Sequence, residues 1–138
     1  MDIKTDAPAI AKAEVQIAAD PQTVWGVLSD FQRWPSWNPE IRSMSMTGPL
    51  VPGSKFAWKA GPGTIRSTMG EVDPPRKIAW SGVTFGIQAI DVFRLEPRDG
   101  ATLVSEEESW DGLLARLLGG LSNLRPEVKR SVEEPRTP

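Results

Sequence analysis

The chain has 138 residues, with 16 Lys and Arg against 18 Asp and Glu for a formal charge of −2, six tryptophans, and no tyrosine, cysteine or histidine. That length builds one core and one site over residues 1–138, and the near-balanced charge gives no electrostatic case for nucleic acid or for an anionic membrane surface. Without cysteine or histidine there is no disulfide framework, no thiolate or imidazole metal site, and neither the commonest general base nor the usual partner of a catalytic serine.

The opening Met1-Asp2-Ile3-Lys4-Thr5-Asp6 carries acid where a signal peptide needs a basic and then an apolar region. The longest uncharged stretch, Ile78 to Ile90, falls short of the roughly 20 apolar residues of a membrane span. A cytoplasmic protein without a membrane span is the expectation. Lys12 to Ala18 alternates polar and apolar residues, the period of a half-buried strand. Asp20-Pro21 then offers an N-cap acceptor with proline at the first helical position, and Val24, Val27, Leu28 and Phe31 fall on one helical face. Pro35 and Pro39 bracket Ser36-Trp37-Asn38 and predict a second, short helical turn before a strand beginning near Ile41.

Turn signals at Pro49–Gly53, Gly61-Pro62-Gly63, Asp73-Pro74-Pro75 and Pro97–Gly100 separate further strands. These run over Lys55–Lys59, Thr64–Val72, Lys77–Gly82, Ile87–Leu95 and Thr102–Trp110, a spacing suited to an antiparallel meander. After Gly112 the period changes, and Leu114, Leu117, Leu118 and Leu121 share the apolar face of a C-terminal helix that Gly119-Gly120 weakens and Pro126 ends or kinks. The last residues, about 128–138, read as a polar, proline-rich tail.

Ala18-Ala19-Asp20-Pro21-Gln22-Thr23-Val24-Trp25 through Phe31, followed by Trp34-Pro35-Ser36-Trp37-Asn38-Pro39, resembles the opening signature of the polyketide cyclase/dehydrase branch of the START-like (SRPBCC) superfamily. Pro74-Pro75-Arg76-Lys77-Ile78-Ala79-Trp80, Phe93-Arg94-Leu95-Glu96-Pro97 and Trp110-Asp111-Gly112-Leu113-Leu114 resemble later words of the same family, in its order. The resemblance implies an α+β helix-grip fold, in which an antiparallel sheet of about seven strands wraps a C-terminal helix around an internal cavity. It implies a pocket for a hydrophobic ligand, used in some relatives for transport or sensing and in others for cyclisation or dehydration. It does not fix one reaction, because fold and function are separable.

If Trp110 faces inward, period two places Glu108, Glu106, Val104 and Thr102 on the same face, and an inward Phe93 and Leu95 bring Asp91 with them. Carboxylates on a buried face are costly unless paired, protonated or wet. A slipped register would instead leave Glu106-Glu107-Glu108 in solvent. Arg66 is the available basic partner if Thr64, Arg66 and Thr68 look inward; Ile65 and Met69 make the better core face, which would put Arg66 in solvent. Phe56, Trp58, Trp80, Phe93, Trp110, Leu114 and Leu117 form the expected cavity wall, with Trp34 and Trp37 at its entrance, although aromatics also dominate ordinary cores.

Three functional classes remain open. One is a carrier of a small, largely apolar molecule such as a lipid, polyketide or aromatic metabolite. The second is a cyclase or dehydratase using Asp91, Glu106 or Glu108 as base, and the third is a stress-response or regulatory domain that docks on a protein partner. No dinucleotide, phosphate-loop, calcium-loop or zinc-protease motif is present, so no cofactor and no metal are implied.

Overall fold

A computed structural model of the chain describes residues 1–60 and 63–112. The element order is β1 (Ala9–Ile17), α1 (Pro21–Ser29), a single 3-10 turn (Phe31–Arg33), α2 (Trp34–Trp37), β2 (Ile41–Met46), β3 (Lys55–Ala60), β4 (Gly63–Asp73), β5 (Lys77–Thr84), β6 (Ile87–Arg98) and β7 (Ala101–Asp111). The expected C-terminal helix with Leu114 and Leu117, and the polar tail, lie outside the described residues.

All seven strands join one antiparallel sheet in the order β1-β7-β6-β5-β4-β3-β2, so the two edge strands are those joined by the α1–α2 segment. β1 begins at Ala9, three residues before the clear alternation, because Ala9-Ile10-Ala11 is apolar at every position and hides the period. Pairing shifts at Ile41/Ser43 in β2 and at Met69/Glu71 in β4 add irregularities of the kind that bend a strand.

α1 starts where the sequence predicts: the Asp20 carboxylate accepts the Thr23 N–H at 2.7 Å, and Pro21 fills the first helical position. That hydrogen bond holds the Asp20 carboxyl below its ordinary value. The helix buries Val24 and Leu28, then yields to the 3-10 turn, which delivers Phe31 into the core.

Two faces follow from the register. Phe56, Trp58, Met69, Ile78, Trp80, Phe93, Leu95 and Val104 point to the face covered by α1 and the turns after it, which is here called the inner face. On the outer face the N-terminal segment crosses β7, β6, β5 and β4. Its Lys4 N–H bonds Ser109 Oγ at 3.0 Å, Ile3 packs with Ala79 and Val92, and Asp2 pairs with Arg94 at 2.6 Å and Lys77 at 3.5 Å.

Candidate functional site

The inner face has two differently built halves. Over β3, β4 and β5, Phe31 sits among four rings, with centroids 5.2 Å from Phe56, 5.6 Å from Trp58, 5.0 Å from Trp80 and 5.4 Å from Trp34. Trp80 stacks on Phe93 at 5.6 Å, and Trp34 anchors the group by donating its indole N–H to the Leu28 carbonyl at 3.0 Å. Offset and edge-to-face geometry of this kind is what packed aromatics prefer. Phe56, Trp58, Trp80 and Phe93, expected on an open wall, are only 2–6% exposed. The 3-10 turn and α2 have dropped Phe31 and Trp34 onto them, so this half is packed core. Trp34 is likewise core and not entrance, whereas Trp37, 4.7 Å from Trp34, stays half-buried at the rim of the cluster.

The other half is carried by β1, β7 and β6. Cross-strand pairing sets Asp91 opposite Glu108, Phe93 opposite Glu106 and Ala89 opposite Trp110. β1 then presents Ala9 to Trp110, Ala11 to Glu108 and Ala13 to Glu106. The structure therefore brings Asp91, Glu106, Glu108 and Trp110 together on the inner face. Their carboxylate oxygens lie within 4.8 Å of one another, with Glu106 and Glu108 buried and Asp91 half-buried. Of the three consecutive glutamates only Glu107 points outward, where it pairs with Lys12 at 3.3 Å and with Arg94. Strand alternation gives this placement directly.

Three carboxylates so close cannot all be ionised cheaply where water is scarce. Burial pushes Asp91 up to about 6, opposed by a hydrogen bond with Glu108. A proton shared between Asp91 and Glu108 is the local answer, and it leaves a group that gives and takes a proton near neutrality. The same oxygens have the spacing of a ligand set for a hard cation, a possibility absent from the sequence pattern because the ligands come from two strands.

Arg66 is corrected. It pairs with Val83 on the outer face and is exposed, because Ile65, Ser67 and Met69 take the inner positions of β4. The expected clamp between Arg66 and Asp91 does not form. Arg66 instead borders an outer-face groove of about 310 Å³ together with Thr68, Ser81, Gln88, Ser109 and Asp111. What the sequence pattern concealed on the inner face is the stripe Ala9, Ala11 and Ala13: alanine carries no strong signal, and only the β1–β7 register shows that it faces the carboxylates.

The family model described as polyketide cyclase/dehydrase and lipid transport matches residues 8–134. The chain belongs to that family. Solved structures of related fold include a START superfamily protein from Mycobacterium smegmatis (TM-score 0.75, 16% identity, covering 91% of this chain and 94% of that one). A hypothetical protein from Helicobacter pylori (TM-score 0.74, 15% identity, 94% and 84% covered) and a protein from Nitrosospira multiformis (TM-score 0.71, 19% identity, 93% and 96% covered) share it as well. At such identities the likeness shows the fold alone. No protein of curated function matches the sequence. Family and fold together point to ligand binding, and no helix among the described residues is long and apolar enough to cross a membrane.

Proposed function

We propose that this polyketide cyclase/dehydrase and lipid transport family member holds a small, largely apolar molecule on the inner face beside Trp110, with its polar end against Asp91, Glu106 and Glu108. The observation that carries the reading is the contrast in side-chain size. Where β3 to β5 fill the inner face with rings, β1 and β6 line it with Ala9, Ala11, Ala13 and Ala89. Small residues around one indole, in an interior that is otherwise close-packed, support the reading that a guest is held there. Three carboxyls that share one proton still offer more acceptors than donors, so the guest is one that donates hydrogen bonds: a hydroxylated or phenolic lipid, polyketide or aromatic metabolite. Trp110 supplies a flat apolar surface for its body.

A second reading, chemistry on the bound molecule, is favoured by one observation, the Asp91 carboxyl raised to about 6 beside Glu108. A carboxylate of that basicity can remove a proton next to a carbonyl and return it to a leaving hydroxyl, as cyclisation with dehydration requires. The experiment that separates the readings begins with native mass spectrometry of the purified protein to identify the bound molecule. Its conversion is then followed with the intact protein and with Glu106→Gln and Glu108→Gln. Binding without conversion supports the carrier; conversion lost in either variant while binding persists overturns it in favour of the enzyme. An empty protein that binds no hydroxylated aromatic or lipid contradicts both.

A further inference from the structure

The outer-face groove of about 310 Å³ has no part in the ligand reading, which uses the other side of the sheet. Register lays its floor out in two rows across four strands. One row runs Thr68, Ser81, Ile90, Ser109, and the other, two residues nearer the β5–β6 turn, runs Arg66, Val83, Gln88, Asp111. Serine at two of the four positions in the first row keeps the floor low. On the far side of that row Ile3 packs on Ala79 and Val92, which brings Lys4 up as the groove's wall.

Three charged residues line the groove: Lys4, Arg66 and Asp111. Asp111 is already satisfied, because its carboxylate pairs with Lys4 and accepts the Gly112 N–H at 2.8 Å. The Thr68 hydroxyl is held too, accepting from the Lys55 ammonium at 2.8 Å. Asp6 and Glu40, two further acids of the chain, are not in the lining. Among the described residues Arg66, Ser81 and Gln88 make no side-chain hydrogen bond or ion pair. The lining therefore keeps one uncompensated guanidinium, one hydroxyl and one amide around a single depression. Val83, 49% exposed between Arg66 and Gln88, and the half-buried Ile90 give it apolar surface as well.

We propose that this groove is a second ligand site, for a small hydroxylated monocarboxylic acid. The Arg66 fork matches a carboxylate through two parallel hydrogen bonds. One uncompensated positive charge suits a monoanion better than a phosphate dianion, whose second charge would meet Asp111 without a cation of its own. Ser81 and Gln88 each donate and accept, which fits hydroxyl groups, and Val83 and Ile90 face the carbon skeleton. The site lies across the sheet from Trp110 and does not depend on what the inner face holds.

The test is an NMR titration of the full chain, read in its backbone amide correlation spectrum. Quinate, a polyhydroxylated monocarboxylate too polar for the alanine-lined inner face, is the probe; myo-inositol is the neutral control and inorganic phosphate the anion control. Quinate should shift the amides of Arg66, Ser81 and Gln88 saturably, and neither control should. Arg66→Gln should weaken quinate binding roughly tenfold, and Arg66→Lys by less, because an ammonium keeps the charge without the fork. Ser81→Leu, which raises the floor, should abolish binding, with the near-ultraviolet circular dichroism of the aromatic cluster unchanged. Should that variant fail to fold, the two Arg66 variants decide, since this exposed side chain makes no bond that the fold needs. Absence of a saturable shift, an equal response to inositol, phosphate binding as tight as quinate, or a quinate affinity that Arg66→Gln leaves intact would each overturn the proposal.

Discussion

The two halves of the inner face are built from the same sheet with side chains of opposite character. Over β3 to β5, Phe31 and Trp34 close on Phe56, Trp58, Trp80 and Phe93, and almost no surface is left. Over β1, β7 and β6 the chain places alanines against three carboxylates and one indole. The first arrangement maximises buried apolar contact, which stabilises the fold. The second sets short side chains and carboxyls in a region that is just as buried, with Ala9, Ala11, Trp110, Glu106 and Glu108 only 5–8% exposed, and burying charge there costs stability. One half thus supplies the stability that the other half draws on.

The largest effect that would test this division is loss of the ring at the centre of the aromatic half. Phe31→Ala should destabilise the protein by about 3–5 kcal/mol in urea unfolding, the usual range for a large aromatic removed from a packed core. A loss below about 1 kcal/mol would mean that the cluster is loose and that a ligand has space there after all.

A smaller effect of opposite sign is expected in the carboxylate half. Asp91 keeps its proton up to about pH 6 in the fold, against an ordinary value of 3.8. The folded chain therefore binds more protons than the unfolded one between those values. Stability associated with protonated Asp91 is present at the acid end and lost as pH rises toward 6. Asp91→Asn should accordingly be about 1–2 kcal/mol more stable than the parent at pH 7.5, allowing for the partial exposure of the group, with the difference vanishing below about pH 4. Urea titrations of both proteins at the two pH values measure it, and a variant less stable at pH 7.5 would show that the ionised carboxylate is well paired.

The smallest effect belongs to the outer face. Asp2 bridges Arg94 and Lys77 while itself largely exposed, so Asp2→Asn should cost less than about 1 kcal/mol and be masked by salt. A loss several times larger would make the N-terminal crossing a structural element on a par with the aromatic half.

How far each half could be read in advance follows from the kind of signal it gives. Strands bounded by Pro and Gly turns were legible almost to their ends, since alternation and turn chemistry are local properties. The inward set of Glu106, Glu108 and Asp91 was legible once Trp110 and Phe93 were taken as inward, because period two leaves no freedom after one residue is placed. Arg66 was not, because both faces of β4 offer plausible inner residues, and only the pairing of Met69 with Trp80 and of Arg66 with Val83 decides between them. The role of the tryptophans was ambiguous for a similar reason: an indole in a core and an indole on a wall look alike until one sees Phe31 packed between them. The alanine stripe was invisible, since a residue defined by what it lacks acquires meaning only from its neighbours.

The claim that space beside Trp110 receives the ligand is tested most directly by filling it. Ala11 faces Glu108 and Ala13 faces Glu106 across the β1–β7 pair. Ala11→Leu and Ala13→Leu are therefore examined by urea unfolding and by titration with N-phenyl-1-naphthylamine, a neutral apolar fluorophore. The account predicts that stability changes by less than about 1 kcal/mol, because the added methylenes enter space and do not strain a packed core, while fluorophore binding is abolished. Destabilisation of about 1–3 kcal/mol with binding unaltered would show that the space is already filled by the protein itself, and would contradict the account.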